Sequence, residues 1–444
     1  MYSVRPISVN AILCSLLFIA LCVGANQAAE VDPALADQVD RLLRQLNDDQ
    51  STRRDEAEQD LLKLAPTDPD KCDAFLLLLP KPLEGMPAEV RLRLSRVRNQ
   101  IEKSQANEAL VASRITLSDK KMDLSEVLKK IAKQTGNQLV DYREQFGQLA
   151  EPRSISLAIE DEQFWPAIDK ILDASEMGLY PFSGEESLAV INREEGSALR
   201  SERASYAGPF RIEAVAVVSR RGLRSPDQQG TNVELEFAWE PRLKPIALSQ
   251  PAEALEIVAD DGSKISLQNP DASFDVEIQP GSHATELTIP LVLPPRSVTK
   301  ISSFKGTLSA LVPGRTAEFR FTELDKQRAA VQRRGGVKVE LSGVRKNQAL
   351  WEIHMRLQVE GEETGLESHR GWVFQNRTYL LSKNDEIVDH AGFETTMQSE
   401  NEIGLAYFFE LPDNKIEDYT WVYRTPAAIV RVPVEYELRK ILLP

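Results

Sequence analysis

Residues 122–140 read MDLSEVLKKIAKQTGNQLV, and this stretch anchors the reading of the chain around it. Leu124, Val127, Leu128, Ile131 and Ala132 recur at helical spacing, so they share one face of an amphipathic helix. Asp123 stands where an N-cap belongs, with Glu126 three residues on, a capping-box-like arrangement. Gly136 suits the exit of that helix. RITL (114–117) before it and QLVDY (138–142) after it read as strands, so the local order is strand, helix, strand.

The same order recurs about forty residues later. SISLAIE (154–160) places Ile155, Leu157 and Ile159 on one strand face, and Asp161 can cap a helix buried through Phe164, Ile168, Ile171 and Leu172. Pro166 falls in the first turn, where a missing N–H is tolerated, and Gly178 takes the part of Gly136. GLYPF and SLAVIN supply closing strands. Residues 113–194 are therefore expected to be a small α+β module.

The stretches ITLSDKKMDLSEVLKKIAKQTGNQLV and SISLAIEDEQFWPAIDKILDASEMGLYPF together resemble the short N-terminal domain of secretins and TonB-dependent receptors, the STN domain. That resemblance covers less than a fifth of the chain. It implies a periplasmic docking module that meets other envelope proteins and performs no chemistry itself. Nothing downstream looks like a secretin ring, a receptor plug or a membrane barrel, so secretion and signalling roles do not carry over.

The N-terminal residues read differently. Arg5 leads into the apolar run ISVNAILCSLLFIALCVG and then into ANQAAE, whose small residues suit signal-peptidase cleavage after Ala25, Ala28 or Ala29. Residues 1–29 are thus expected to be a signal peptide; a retained anchor is the alternative, because the run nears the length of a span. Cleavage would leave Cys72 as the single cysteine, so export would not bring an internal disulfide. The surroundings of Cys72 point to a buried small residue more than a reactive thiol.

At 444 residues, with 42% apolar and 27% charged residues, the chain is expected to be multidomain and globular. Its net charge of −15 argues against a nucleic-acid partner, which needs Lys and Arg to neutralise phosphates.

Residues 31–108 read as an N-terminal α-helical region. Leu35, Val39, Leu42, Leu43 and Leu46 line one helix, and Ala57, Leu61, Leu64 and Ala65 a second, capped by Ser51 or Thr52. This pair is similar to a HEAT-type hairpin, without a second clear copy. AFLLLLP follows, then a helix from Pro87 whose buried stripe is Val90, Leu94, Val97 and Ile101. Arg91, Arg93, Arg96 and Arg98 are then displayed on its other faces, as a solvated helix balanced by Glu89 and Glu102 or as an anion site.

Beyond residue 205 the period changes to two. FRIEAVAVV, VELEFAWE, FDVEIQ, ELTIPLVL and AEFRF alternate apolar and polar, with Val233, Leu235, Phe237 and Trp239 facing one way. ADDGSK reads as a hairpin turn, and Pro290 as the mark of an edge strand or bulge. One antiparallel β-sandwich is expected over 205–328. DKQRAAVQRRGG then acts as a charged separator before a second over 335–444, containing ALWEIHMRLQVE, GWVF, TYLL, GLAYFFEL, TWVYRTP and AIVRVPVEYELRKI. In that region Trp351, Ile353, Met355, Leu357 and Val359 are expected inside, with Glu352 and His354 outside.

No nucleophile elbow, P-loop, zinc helix, Cys-x-x-Cys pair, EF-hand or dinucleotide turn is present. Four histidines remain: His283, His354, His369 and His390. The best constellation for a metal or a reaction is His369, Asp389, His390 and Glu394, weighed against ordinary loop polarity; Glu394 with Glu400 or Glu402 is the corresponding carboxylate pair for sugar hydrolysis. Trp372, Phe374 and Tyr379, or Trp421 and Tyr423, make either a sugar platform or a sandwich core, and the spacing favours core. No catalytic, cofactor or metal residue is assigned. The expected function is that of an exported, non-catalytic protein of the bacterial envelope acting through other envelope proteins. A glycan- or envelope-polymer-binding protein is the alternative, and a polysaccharide hydrolase the third reading.

Overall fold

The computed structural model describes residues 33–444 except 67–68, 81–85, 119–120, 185, 226–228, 280, 327–328, 360–370, 400 and 412–414. The expected signal peptide therefore lies outside the described residues. The chain divides into two compact units, up to Ser95 and from Arg96. No described helix is long and apolar enough to cross a membrane.

The first unit is helical. Helices α1 (Pro33–Gln45) and α2 (Ser51–Leu64) bury Val39 and Leu42 on one and Ala57 and Leu61 on the other, with Leu46 buried in the turn after α1. Ser51 is already helical, and Gln50 holds the N-cap position, its N–H bonded to Asp48 at 2.9 Å. Helix α3 (Pro69–Leu78) buries Cys72, Phe75 and Leu76. In α4 (Ala88–Ala109) the expected stripe holds, but Arg93 is not displayed. It is buried, and its guanidinium meets Asp55 at 2.7 Å and Glu58 and Glu89 at 2.6 Å. Three carboxylates already take up its donors, so the four arginines do not form one open anion site.

The second unit is mostly antiparallel sheet. Helix α5 (Leu124–Thr135) and helix α6 (Phe164–Ser175) pack on the short strands Arg114–Leu117, Leu139–Asp141, Ile159–Gln163, Met177–Tyr180 and Leu188–Asn192 around one core. Gly136 ends α5 at φ 73, as its lack of a Cβ allows. Three local expectations fail. Asp123 makes no side-chain cap; the first N–H of α5 instead goes to the Arg153 carbonyl at 2.9 Å. Asp161 lies before α6, at φ 44 and paired with Arg114, so Gln163 takes the N-cap position. Glu176, not Gly178, is the left-handed residue that ends α6.

Two further cores fill the rest of this unit. A four-stranded sheet, ordered Ala284–Leu291, Gln229–Trp239, Phe210–Arg221, Ala204–Ala207, faces the first; Pro290 sits in its edge strand. A five-stranded sheet running from Ala330–Arg334 to Gly392–Gln398 faces the second. DKQRAAVQRRGG is thus not a plain separator, because its second half is the first strand of this sheet, turned at Gly335 and Gly336 with positive φ. GWVF is a short helix, Gly371–Phe374, rather than a strand.

Both cores share one seven-stranded sheet, built on the 22-residue strand Lys300–Phe321 and the 24-residue strand Tyr419–Leu442. Side chains alternate between faces along a strand. Phe304, Leu308, Ala310 and Val312, with Val434, Tyr436 and Leu438, enter the first core. Ala317, Phe319 and Phe321, with Tyr419, Trp421 and Tyr423, enter the second. From Phe304 to Val312 and from Val434 to Leu438 the even numbers face the first core, while Leu311 and the odd numbers from Ala317 to Phe321 face the second, so the two cores lie on opposite faces of the ribbon. The break falls where Pro313 meets Ile429 and Ala428 adopts φ 51. The boundary expected between residues 328 and 335 is therefore crossed, and the final alternation from Val434 to Leu438 completes the first core, not the second.

Candidate functional site

The α+β part is locked to the first sheet pair by two buried polar nodes. Asp169 on α6 is fully buried and accepts from Arg211 Nε at 2.7 Å, Tyr206 Oη at 2.8 Å and Arg200 Nε at 2.9 Å. Burial works against the charge on Arg211, yet Asp169 and Glu213 together hold its pKa above the ordinary arginine range. Glu240, also fully buried, accepts from Arg242 Nε at 2.6 Å, from the Ser113 hydroxyl at 2.7 Å and amide at 2.9 Å, and from Asn137 Nδ2 at 2.9 Å. Trp165 Nε1 adds a bond to the Pro209 carbonyl at 2.9 Å. Gly281, at φ 72, lies so close to Gly184 that an added Cβ would come within 2.4 Å of its carbonyl oxygen. A unit fixed in this way is not a loosely tethered arm.

Its outer face carries exposed aromatics. In the three-stranded sheet Val140 and Tyr180 both pair with Ala189, placing them in one row across the strands. The turn after Asp141 folds back on that row. Phe146 packs edge-on to Tyr180 at 5.1 Å and lies 6.3 Å from Tyr142, while Tyr180 meets Phe182 at 6.1 Å. Phe146 is 46% exposed, Phe182 39% and Leu149 73%. The turn is built to hold them: Arg143, itself buried, grips Asp141 through Nε at 2.9 Å and Nη2 at 2.7 Å, and donates to the Glu151 carbonyl at 2.8 Å. The Arg143 hydrogen bond, opposed by burial, keeps the Asp141 carboxyl below its usual range. Contiguous exposed apolar surface on a rigid support is the pattern of an interaction surface. The rings meet edge to face, which does not make a flat platform.

A pocket of about 300 Å³ opens where the α+β part, the first sheet pair and the Gly371–Phe374 helix converge. Trp239, Leu243, Ile278 and Trp372 give it apolar walls, His283 and Asn376 are polar groups in it, and the Lys244–Glu186 ion pair of 2.7 Å sits at its rim. Apolar walls with a few polar groups at a junction are the usual setting of a small-ligand site.

Of the residues singled out in the sequence, His283 and Trp372 line this pocket, but the His369, Asp389, His390 and Glu394 constellation is not gathered there. Asp389 and Glu394 are exposed, and the His390 ring packs on Tyr407 at 5.2 Å and Phe393 at 6.2 Å. His369 and Glu400 lie outside the described residues; among those described, no group of three His, Cys, Asp or Glu side chains comes together as metal ligands would. Glu402 is half-buried and faces Arg356 at 3.8 Å. Trp372, Tyr379, Trp421 and Tyr423 are buried, and Phe374 is partly buried in the second core, so the aromatics fill a core. Ile353, Met355 and Leu357 keep the core face, so Glu352 lies on the opposite face as expected, yet it is buried there among Arg345, Asn347 and His354: it accepts from Asn347 at 2.7 Å, pairs with Arg345, and lies 2.9 Å from the half-buried His354. Sequence reasoning missed Asp169, Arg211, Glu240 and Arg143. Asp169, between Ile168 and Ile171 on the buried side of FWPAIDKILDAS, was the available signal, since an acid among core positions must be paired.

No protein-family model matches the chain, and no curated protein or solved structure matches it. The likeness of residues 113–194 to an STN domain therefore rests on their own pattern.

Proposed function

We propose that this is an exported, non-catalytic protein of the bacterial envelope, divided into a helical region, an STN-like module and two sandwich-like sheet pairs, which recruits another envelope protein through the outer face of the module. One observation carries the reading: Phe146, Tyr180 and Phe182 are exposed side by side on a turn and sheet that buried ion pairs hold in place. Export rests on the first 29 residues of the sequence, and docking is what the STN resemblance implies. The pocket walled by Trp239 and Trp372 supports the second reading, a glycan or envelope-polymer ligand.

The test is affinity capture from detergent-solubilised envelope with the tagged chain and with a Tyr180→Ser/Phe182→Ser variant. Deleting the module would strip Ala238 and Ala284 of their packing, so substitutions are the cleaner probe. Loss of one defined protein from the variant supports docking. Equal capture by both chains, or retention of polysaccharide alone, contradicts it and favours the pocket.

A further inference from the structure

Far along the strand Phe210–Arg221 from Arg211, one end of the first sheet pair carries arginines that no acid answers among the described residues. Arg220 and Arg221, at the end of that strand, line a cavity of about 410 Å³ with Leu293, Pro295 and Arg296 from the loop after Ala284–Leu291, and with Leu443. All three arginines are exposed, and among the described residues none has an ion-pair partner. Asp260 approaches this end, but its carboxylate is engaged by the Thr299 hydroxyl at 2.7 Å and lies close to Lys300. On a chain of net charge −15, such a patch stands apart from its surroundings.

Exposed apolar side chains lie beside the same cavity. Arg221 pairs with Gln229, so Leu223 belongs to the tip of that hairpin, where it is 93% exposed and followed by the exposed Arg224. Leu442, next to the cavity-lining Leu443, is 74% exposed, and Val292, next to Leu293, is 50% exposed. Guanidinium groups match phosphate oxygens in geometry and charge. A soluble polyanion would account for the arginines but would leave Leu223 and Leu442 in water. An anionic bilayer accounts for both, because its headgroups meet the cations while its interface takes up the leucines.

We propose that this end of the chain docks on a membrane surface containing anionic lipid, with a lipid phosphate held among Arg220, Arg221 and Arg296 and with Leu223 entering the interface. The proposal uses none of the residues of the aromatic face and stands apart from the function proposed above.

Vesicle co-sedimentation of the whole chain tests it, using phosphatidylcholine alone and phosphatidylcholine mixed with phosphatidylglycerol. Binding is expected only with the anionic lipid, declining as salt is raised. Arg220→Gln/Arg221→Gln is expected to weaken it about 25-fold, at roughly fivefold per cation. Leu223→Ser, which leaves the charge unchanged, is expected to weaken it several-fold. All four positions are exposed, so thermal unfolding of the variants should match that of the parent chain; should the double variant unfold early, Arg296→Gln replaces it. Equal binding to both vesicles, or to neither, overturns the proposal. So does binding that inorganic phosphate displaces completely and that Leu223→Ser leaves unchanged, since that would be an ion site and not a membrane surface.

Discussion

Asp169 and Arg211 pair at 2.7 Å with both side chains fully buried, one on α6 and the other on the strand Phe210–Arg221 of the four-stranded sheet. A charge taken out of water survives only when it is paired and hydrogen-bonded, so this contact fixes where the α+β part lies against the sheet. That placement in turn leaves the face of Phe146, Tyr180 and Phe182 outward.

Asp169→Ala removes one partner and leaves Arg211 buried without its main counter-charge. A loss of about 3–5 kcal/mol is expected in urea unfolding, typical of breaking a buried pair. Replacing both residues, as Asp169→Leu with Arg211→Met, is expected to recover part of that loss, because the buried guanidinium is gone while Arg200 and Glu213 each lose one partner. A double variant as unstable as the single one would contradict this.

Glu352 gives a pH signature. The Asn347 hydrogen bond, opposed by burial and aided by His354 and Arg345, pushes its pKa from 4.5 down to about 2. The folded chain thus binds this proton less readily than the unfolded chain does. Its contribution is whole above about 4.5 and is lost as pH falls towards about 2. Unfolding midpoints measured across that window should fall more steeply for the parent chain than for Glu352→Gln. Parallel curves would exclude the effect.

Gly306 faces Tyr436 across the long ribbon, and an added Cβ would come within 2.4 Å of the tyrosine ring. Tyr436 cannot easily yield: it packs edge-on to Phe237 at 5.4 Å and donates to Gln250 Oε1 at 2.9 Å while buried. Gly306→Ala is therefore expected to cost about 1–3 kcal/mol in equilibrium unfolding, as overpacking does. A neutral substitution would mean that the ribbon is looser there.

Much of the local structure was legible in the sequence. The helix faces of Leu124 to Ile131 and of Phe164 to Leu172, the alternation of Val233 to Trp239, and Gly136 as a helix end all follow from periodicity and backbone freedom, which are local properties. What was not legible is non-local. The pairing of Lys300–Phe321 with Tyr419–Leu442 joins residues a hundred or more positions apart, so Val434 and Leu438 could be assigned to a strand but not to a core. Burial of Arg93 and Glu240 depends on partners from other segments, and Glu352, on the outer face of its strand, is buried by contact with Arg345, Asn347 and His354. The aromatic face was hidden for the same reason: Phe146 and Tyr180 meet only after a turn folds over a sheet.

Arg143→Ala tests whether that turn presents the face. Removing the Asp141 clamp is expected to speed amide exchange at Phe146, Gly147 and Gln148, whose N–H groups bond to Tyr142, Glu144 and Arg143 carbonyls, while α6 stays protected. Exchange unchanged at those three amides would show that the clamp is not needed.

The most direct test of the account is site-specific photo-crosslinking in cells, with a photoreactive side chain at position 182 and, as control, at the exposed Asn232 of the first sheet pair. A discrete adduct with one envelope protein is expected from position 182, absent from position 232 and lost when Tyr180→Ser is added. The same products from both positions, or none from position 182, would contradict a docking role for the aromatic face.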